Sequence, residues 1–207
     1  MLGIRIQGTS FSPATNTGTT DWTSEKLSSH KRNTNTVLAI MKVKIRDGGL
    51  EGCPLPVTPV GDVVVYTDGS CENNGRFGAV AGIGVWFAEN HPLNVSRRCI
   101  GRQTNNNAEI QAALYAVEIV KARGHQSVEI RTDSKFLIDC MEKWIQGWKK
   151  NKWRKKSDNS EVINREELTA LDEACRGIEV RYVHVPGHSG VYGNEKADGL
   201  ARQACVS

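Results

Sequence analysis

An uninterrupted β-branched run, Val63–Val65, ends in Tyr66 and leads directly into the polar sequence Thr67-Asp68-Gly69-Ser70. This pattern predicts a buried strand that delivers a carboxylate to a turn. Beyond it, strand and helix patterns alternate, which indicates an α/β domain with a five-stranded mixed sheet flanked by helices. We predict further strands over residues 77–87, 95–103, 127–132 and 179–185, and helices over about 106–124, 134–145, 165–175 and 193–204.

Residues 1–60 have a different character. They are rich in Ser, Thr and Asn, show no lasting periodicity, and include Pro54, Pro56 and Pro59. Such a segment buries too little apolar surface to offset its ordering entropy. We predict a low-complexity tail or linker, largely disordered, over 1–60 and a folded catalytic domain over 61–207. The tail contains no decisive targeting signal.

Charge and cysteine usage narrow the class of protein. The net charge of +4 is too small to establish a polyanionic partner by itself. The six cysteines contain no C-x-x-C pair, which favours reduced thiols over a zinc site or a disulfide framework. No apolar run approaches the roughly 20 residues that span a bilayer. We expect a soluble intracellular protein, in the nucleus or cytoplasm, with the mitochondrion as an alternative.

Four acids are candidate functional residues. Asp68 and Asp133 are predicted to end strands, Glu109 lies near a helix start, and Asp198 lies on the last helix. Functional groups in open α/β sheets collect at the carboxyl ends of strands. Taken alone, each of the three acids at a strand end or a helix start also has a purely structural interpretation. Asp68 could begin a turn, Glu109 could form a capping box with Asn106, and Asp133 could cap the next helix.

Four ordered motifs carry a family resemblance. They are YTDGS at 66–70, GRQTNNNAE at 101–109, RTDS at 131–134 and HVPGHSGVYGNEKAD at 184–198. Together they resemble the type 1 ribonuclease H family over about residues 62–204. The resemblance implies an RNase H-like fold. It also implies an endonuclease that cuts the RNA strand of RNA–DNA hybrids and leaves 5′-phosphate and 3′-hydroxyl ends.

The resemblance also implies a metal site. Asp68, Glu109, Asp133 and Asp198 would hold two divalent ions, normally Mg²⁺ with Mn²⁺ as a substitute. Crowded carboxylates need cations between them, and hard oxygen ligands suit Mg²⁺. Two such ions can stabilise the attacking water and the leaving 3′ oxygen. His188, between Gly187 and Gly190, matches the family's mobile active-site histidine, for proton transfer or product release.

Residues Lys143–Lys156, here called the basic segment, combine cations with tryptophans and contain no acid. Rings that pack on sugars beside cations that meet phosphates suit a nucleic-acid backbone. The basic segment resembles the family's basic protrusion, which grips the DNA strand. The resemblance assigns nucleic-acid contacts to Ser70, Asn74, Arg102, Thr104, Asn105, Asn106, Phe136, Trp144, Trp148, Lys149, Lys150 and Asn164.

These contacts have different implied roles. Phe136 and Trp144 match positions that pack on deoxyribose. Arg102, Thr104 and Asn164 match a pocket for a DNA phosphate. The contacts near the cut, Ser70, Asn74, Asn105 and Asn106, include groups that sense the 2′-OH or the minor groove.

The chain departs from the family pattern in places. Asn107 stands where many relatives carry a basic or larger residue, and Glu72 and Asn73 replace a more basic stretch of some members. We expect both changes to weaken hybrid binding. Residues 1–60 do not resemble the small hybrid-binding module of many eukaryotic members, so we expect less processive action. No heptad pattern indicates an oligomer, and a monomer is the simplest expectation.

Three rival interpretations remain at this point. An integrase or transposase shares the fold and carboxylates but acts on DNA, and the 2′-OH contacts and basic segment argue against it. A hybrid-binding module without catalysis should lack one of the four acids. A reverse transcriptase fragment is less consistent with the basic segment.

Overall fold

The computed structural model describes residues 53–207, and most of the predicted tail lies outside them. Five strands form one sheet in the order β3-β2-β1-β4-β5. Antiparallel pairing joins β1, β2 and β3, and parallel pairing joins β1, β4 and β5. The predicted mixed five-stranded sheet is therefore confirmed. The strands are β1 Val63–Glu72, β2 Val80–Trp86, β3 Val95–Arg98, β4 Ser127–Thr132 and β5 Glu179–His184.

The helices lie where the sequence predicts them, with one change in length. They are α1 Asn105–Ala122, α2 Lys135–Ile138, α3 Ile145–Lys150, α4 Arg165–Ala174 and α5 Tyr192–Val206, with a π-helical segment Asp139–Trp144 between α2 and α3. The helix predicted to end near residue 145 therefore continues to Lys150. A π-helical turn shifts the hydrogen-bonding register without ending the helical path, so the residue pattern loses its 3.6 period there.

Strand β3 is shorter than predicted and ends at Arg98 instead of residue 103. The chain turns at Gly101, whose φ is +76°. Gln111 on α1 fixes this turn, because its side chain accepts from the Ile100 N–H and donates to the Ile100 carbonyl. These bonds satisfy the backbone that a longer strand would otherwise pair.

Helix α1 and helix α5 cover opposite faces of the sheet. Helix α1 packs on β1 and β2, with Ile110 and Leu114 fully buried. Helix α5 packs on β1, β2 and β3 through Ala197, Ala201 and Ala204, all fully buried. Small residues on α5 let its backbone lie close to the sheet, which places Asp198 near β1.

Replacing Gly84 with Ala is expected to destabilise the domain by about 1–3 kcal/mol or more, since the new methyl group overpacks a filled interface. A Cβ at Gly84 would overlap the Ala197 carbonyl oxygen and lie 2.8 Å from the Ala201 nitrogen. Urea unfolding gives the free energy of unfolding. Gly199→Ala on α5 is the control, because no atom lies within 4 Å of its Cβ position. An unchanged stability for Gly84→Ala would contradict this packing.

Residues 53–60, which the sequence assigned to the tail, contact the domain. Leu55 is buried in the core, and Arg123 donates a hydrogen bond to the Cys53 carbonyl. The Val64 N–H donates to the Pro56 carbonyl. The predicted boundary at residue 60 therefore separates from the domain a segment that contributes to its core. Within residues 53–207, no helix has the length and apolar character needed to cross a bilayer.

Candidate active site

Asp68 lies in the middle of β1, so the prediction that it ends the strand is wrong. The parallel pairing of β1 with β4 stops at Tyr66–Arg131, whereas the antiparallel pairing with β2 continues through Asp68–Gly84 to Glu72. Asp68 therefore lies just beyond the point where β4 has turned away. The N–H of Gly69 donates to Asp68 Oδ1 at 2.8 Å, and the residue forms no turn.

Glu109 is the fifth residue of α1 and does not serve as a capping-box glutamate. Thr104 is the N-cap, and its hydroxyl accepts from the Asn107 N–H at 3.3 Å. The Glu109 side chain is buried instead, at 3% exposure. A Cβ at Gly69 would lie 2.7 Å from the Ala108 carbonyl carbon, so this glycine lets α1 approach β1. The close approach brings Glu109 to Asp68.

Asp133 follows β4 and does not cap the next helix. The cap is Ser134, whose hydroxyl accepts from the Leu137 N–H. Asp133 is instead held from the other side of the site. The Asn194 side-chain amide donates to Asp133 Oδ2 at 3.0 Å, and a Cβ at Gly187 would lie 2.5 Å from that oxygen. The carboxylate is therefore fixed by α5 and by the loop after β5.

Asp68, Glu109 and Asp133 form one cluster, here called the carboxylate cluster. One oxygen of each lies within 4.8 Å of the others. Burial, followed by repulsion from Asp133 and Asp198, raises the pKa of Asp68 to about 7. Burial, followed by repulsion from Asp68 and Asp133, raises the pKa of Glu109 well above its ordinary value. Burial and mutual repulsion therefore disfavour ionisation of the carboxylate cluster, a cost that a bound cation would offset.

The carboxylate cluster fits a divalent cation. Glu109 Oε2 is buried and has no hydrogen-bond partner among residues 53–207. Buried polar atoms are nearly always paired, so an orphan oxygen on a residue of the carboxylate cluster indicates an absent ligand. Hard oxygen donors of this kind are those that Mg²⁺, Ca²⁺ and Mn²⁺ prefer.

Asp198 lies beside the carboxylate cluster but outside the three-residue group. It is close enough to raise the pKa of Asp68 by repulsion. Its Oδ1 accepts from Arg202 at 2.8 Å, and its Oδ2 lies 4.0 Å from His188 Nδ1. The His188 side chain is 73% exposed, and its backbone has a φ of +49°. The structure thus places His188 at the solvent side of the site, next to Asp198.

Comparison with known proteins decides the family. The model of the RNase H family matches residues 61–206, which include all three residues of the carboxylate cluster. The chain belongs to the RNase H family. It is 52% identical to ribonuclease H1 of Rattus norvegicus and to that of Homo sapiens, in each case over 141 residues, 68% of this chain and 49% of the relative. It therefore spans about half the length of these curated relatives.

Solved structures give the same fold. LC9-RNase H1, a type 1 RNase H with the type 2 active-site motif, is 29% identical with a TM-score of 0.54, and the match covers 74% of each chain. A foamy viral protease-reverse transcriptase in complex with dsDNA is 25% identical with a TM-score of 0.55, over 69% of this chain and 92% of the other. The expected membership of the type 1 family is confirmed.

Several predicted nucleic-acid contacts of this RNase H chain surround the start of α1. Asn74 Oδ1 accepts from the Asn105 N–H at 3.3 Å. Asn105 and Asn106 open α1, and Thr104 caps it. Ser70 lies two residues beyond Asp68 on β1 and so on the same face of the sheet. The fold therefore gathers these side chains along one rim of the carboxylate cluster.

The predicted phosphate pocket is partly assembled. Arg102 and Asn164 line one cleft of about 330 Å³. Asn164 has a φ of +62°, and its buried side-chain carbonyl oxygen has no partner within the described part of the chain. Thr104 is not among the lining residues, because its hydroxyl caps α1. Arg102 and Asn164 are thus brought together, and Thr104 lies two residues along the chain.

The predicted contacts in and near the basic segment differ in how exposed they are and in whether they are already paired. Trp144 is 41% exposed, and its ring lies 5.6 Å from that of Trp148, which packs partly against the core. Phe136 also packs partly against the core. Lys149 pairs with Asp172 at 2.7 Å, whereas Lys150 is exposed. The charge of Lys149 is therefore partly neutralised, and Lys150 is the more accessible cation.

The structure contradicts the reason for the expectation at Asn107, which was a loss of positive charge at the surface. Its side chain is fully buried, and its amide donates to the carbonyl oxygens of Ile100 and Arg102. It cannot lower the surface charge that meets a nucleic acid. Its contacts instead fix the turn that presents Arg102. A buried Asn at the first turn of a helix commonly satisfies local backbone groups, and the sequence alone does not reveal this burial.

Asn194, which lies within the Gly193-Asn194-Glu195 part of the last motif, contacts the carboxylate cluster although no sequence signal assigned it a role. Asn194→Ala is expected to lower kcat about 10–100-fold, because a hydrogen bond to a metal-binding carboxylate holds it in the orientation that the metal requires. KM for the substrate should change less. Gln203→Ala, exposed on the same helix, is the control. Equal kcat values for the two variants, with equal melting temperatures, would contradict the positioning role.

Proposed function

We propose that this protein is an endonuclease that hydrolyses the RNA strand of RNA–DNA hybrids. The carboxylate cluster is the observation that carries this proposal, because three acids, from β1, from α1 and from the position after β4, converge, and two of them are buried. Family membership and the names of the curated relatives support the substrate class. Products would carry 5′-phosphate and 3′-hydroxyl ends.

The proposed cofactor is a pair of Mg²⁺ ions, for which Mn²⁺ can substitute. Asp68, Glu109 and Asp133 would hold them together with Asp198. When bound, such ions supply charge stabilisation for the attacking and leaving oxygens of an in-line displacement. The burial and crowding of these carboxyls, which raise the pKa values of Asp68 and Glu109, and the unpartnered Glu109 oxygen support a cation at this position.

The chain's own residues have distinct roles in this proposal. His188, exposed beside Asp198, would transfer a proton or aid product release, and its flanking glycines permit movement. Asn194 holds Asp133 in place. The rim formed by Ser70, Asn74 and the start of α1 would sense the RNA 2′-OH. The basic segment and the Arg102 cleft would hold the DNA strand.

The proposed partner is therefore the hybrid duplex, bound by a monomer. An intracellular location, in the nucleus or cytoplasm with the mitochondrion as an alternative, is also proposed. The six cysteines, all in the part of the chain that the structure describes, are unpaired. Free thiols support a reducing compartment.

One cleavage experiment tests the function. A single end-labelled sequence is offered as RNA–DNA hybrid, RNA duplex, DNA duplex and single-stranded RNA, each with Mg²⁺ and with chelator. Cutting confined to the RNA of the hybrid, only with metal, is expected. Asp133→Asn should bind the hybrid without cutting it. Hybrid binding without any wild-type cutting would indicate a binding module, and cutting confined to DNA would indicate a DNA-directed relative.

A further inference from the structure

Phe77 is the most exposed large apolar side chain in the described part of the protein, at 104% exposure. It lies in the loop between β1 and β2, residues 73–79, here called the hairpin loop. Within residues 53–207, nothing covers Phe77 to any appreciable extent. Single exposed apolar residues are ordinary on protein surfaces, so exposure alone assigns no role. A role for Phe77 follows instead from where it lies in the fold.

The hairpin loop holds Phe77 outward by its backbone conformation. Asn73, Gly75 and Gly78 have φ values of +52°, +77° and +75°. The Arg76 N–H donates to the Asn73 carbonyl at 2.8 Å, which closes a turn. Arg76 and Phe77 therefore lie at the tip of the loop, both exposed. A cation and an aromatic ring are presented side by side.

The base of the hairpin loop is attached to the rim of the active site. Asn74 accepts a hydrogen bond from the N–H of Asn105, and Asn105 lies four residues before Glu109 on α1. The loop follows β1, which ends at Glu72, four residues beyond Asp68. The loop tip therefore projects from the same rim that would meet the hybrid near the cut.

We propose that Phe77 packs into the minor groove of the bound hybrid, where its ring lies against the sugars. This inference rests on the proposed function. The minor groove of an A-like duplex is wide and shallow, so a ring carried on a loop can reach its sugars. Proteins commonly place Phe, Leu or Ile in minor grooves. Arg76 next to it supplies a charge for the flanking phosphate.

Salt dependence distinguishes this contact from a phosphate contact. Binding of a fluorescent hybrid is measured in the Asp133→Asn background, so that the hybrid stays intact. Phe77→Ala should weaken affinity on the order of tenfold, as the loss of an aromatic contact to nucleic acid does. The slope of log affinity against log salt should not change, because no counterion is released by a phenyl ring. Lys150→Ala should instead lower that slope by about one.

A control and a positional measurement complete the test. Val60→Ala removes an exposed apolar side chain, at 78% exposure, just before β1 and should leave affinity unchanged. A benzophenone amino acid in place of Phe77 should crosslink to the hybrid, and the same group in place of Val60 should not. Failure of the Asp133→Asn protein to bind any hybrid would contradict the proposed function. Normal binding by Phe77→Ala, without crosslinking at position 77, would overturn this inference alone.

Discussion

Replacing Glu109 with Gln is expected to lower hybrid cleavage by about a thousandfold or more. Loss of metal-based charge stabilisation costs several kcal/mol, and roughly 1.4 kcal/mol corresponds to tenfold in rate. The same change should raise the melting temperature of the metal-free protein near neutral pH. Glu109 is buried beside Asp68 and Asp133, and a neutral amide of the same shape removes their repulsion. Single-turnover cleavage and thermal unfolding measure the two effects.

Glu118→Gln is the matched control for this variant. Glu118 lies on the same helix, nine residues further along, and is only partly buried. The control should keep wild-type cleavage and melting temperature. A Glu109→Gln protein that cuts at the wild-type rate would show that the buried carboxylate does not take part in the chemistry. Equal loss of cleavage in both variants would indicate damage to α1 instead.

Removing divalent metal should make the stability of the protein strongly dependent on pH. The pKa of Asp68 rises from 3.8 in the unfolded chain to about 7 in the fold, chiefly through burial. The folded state therefore binds more protons than the unfolded state between about pH 4 and about pH 7. This contribution is fully present below pH 3.8 and is lost as pH rises through about 7. It amounts to roughly 1.4 kcal/mol per pH unit for one such group.

Divalent metal should restore the stability that the protein loses as the pH rises. A cation bound between the carboxylates replaces the protons, so Mg²⁺ should raise the melting temperature clearly at about pH 8 and little at about pH 5. Calorimetry with chelator and with Mg²⁺ at both pH values gives the comparison. An equal effect of Mg²⁺ at both pH values would contradict a site made of crowded carboxylates.

Asp68→Asn separates the titration of the carboxylate cluster from that of His91. His91 has a pKa that burial lowers, so its contribution has the opposite sign and makes the fold more stable as pH rises. The Asp68→Asn protein keeps His91 and loses the Asp68 titration. The difference between the two metal-free profiles should therefore fall with pH, and a flat difference would contradict the raised pKa of Asp68.

The sequence by itself determined the fold class, the order of strands and helices, and which four acids are candidate functional residues. These features depend on short-range patterns, such as the β-branched run Val63–Val65 and the apolar stripe of α1, which are written in neighbouring residues. The motifs around these four acids also indicated the family, because the order and spacing of the motifs can be read directly from the sequence.

Only the tertiary structure decided how those acids meet. Asp68 lies inside β1 because the pairing of β1 with β2 continues to Glu72, whereas its pairing with β4 ends at Tyr66. Asn194 contacts Asp133 across 61 positions, and Asn107 is buried by a turn that it helps to form. Burial and long-range partners depend on the whole packed chain, so no local pattern states them.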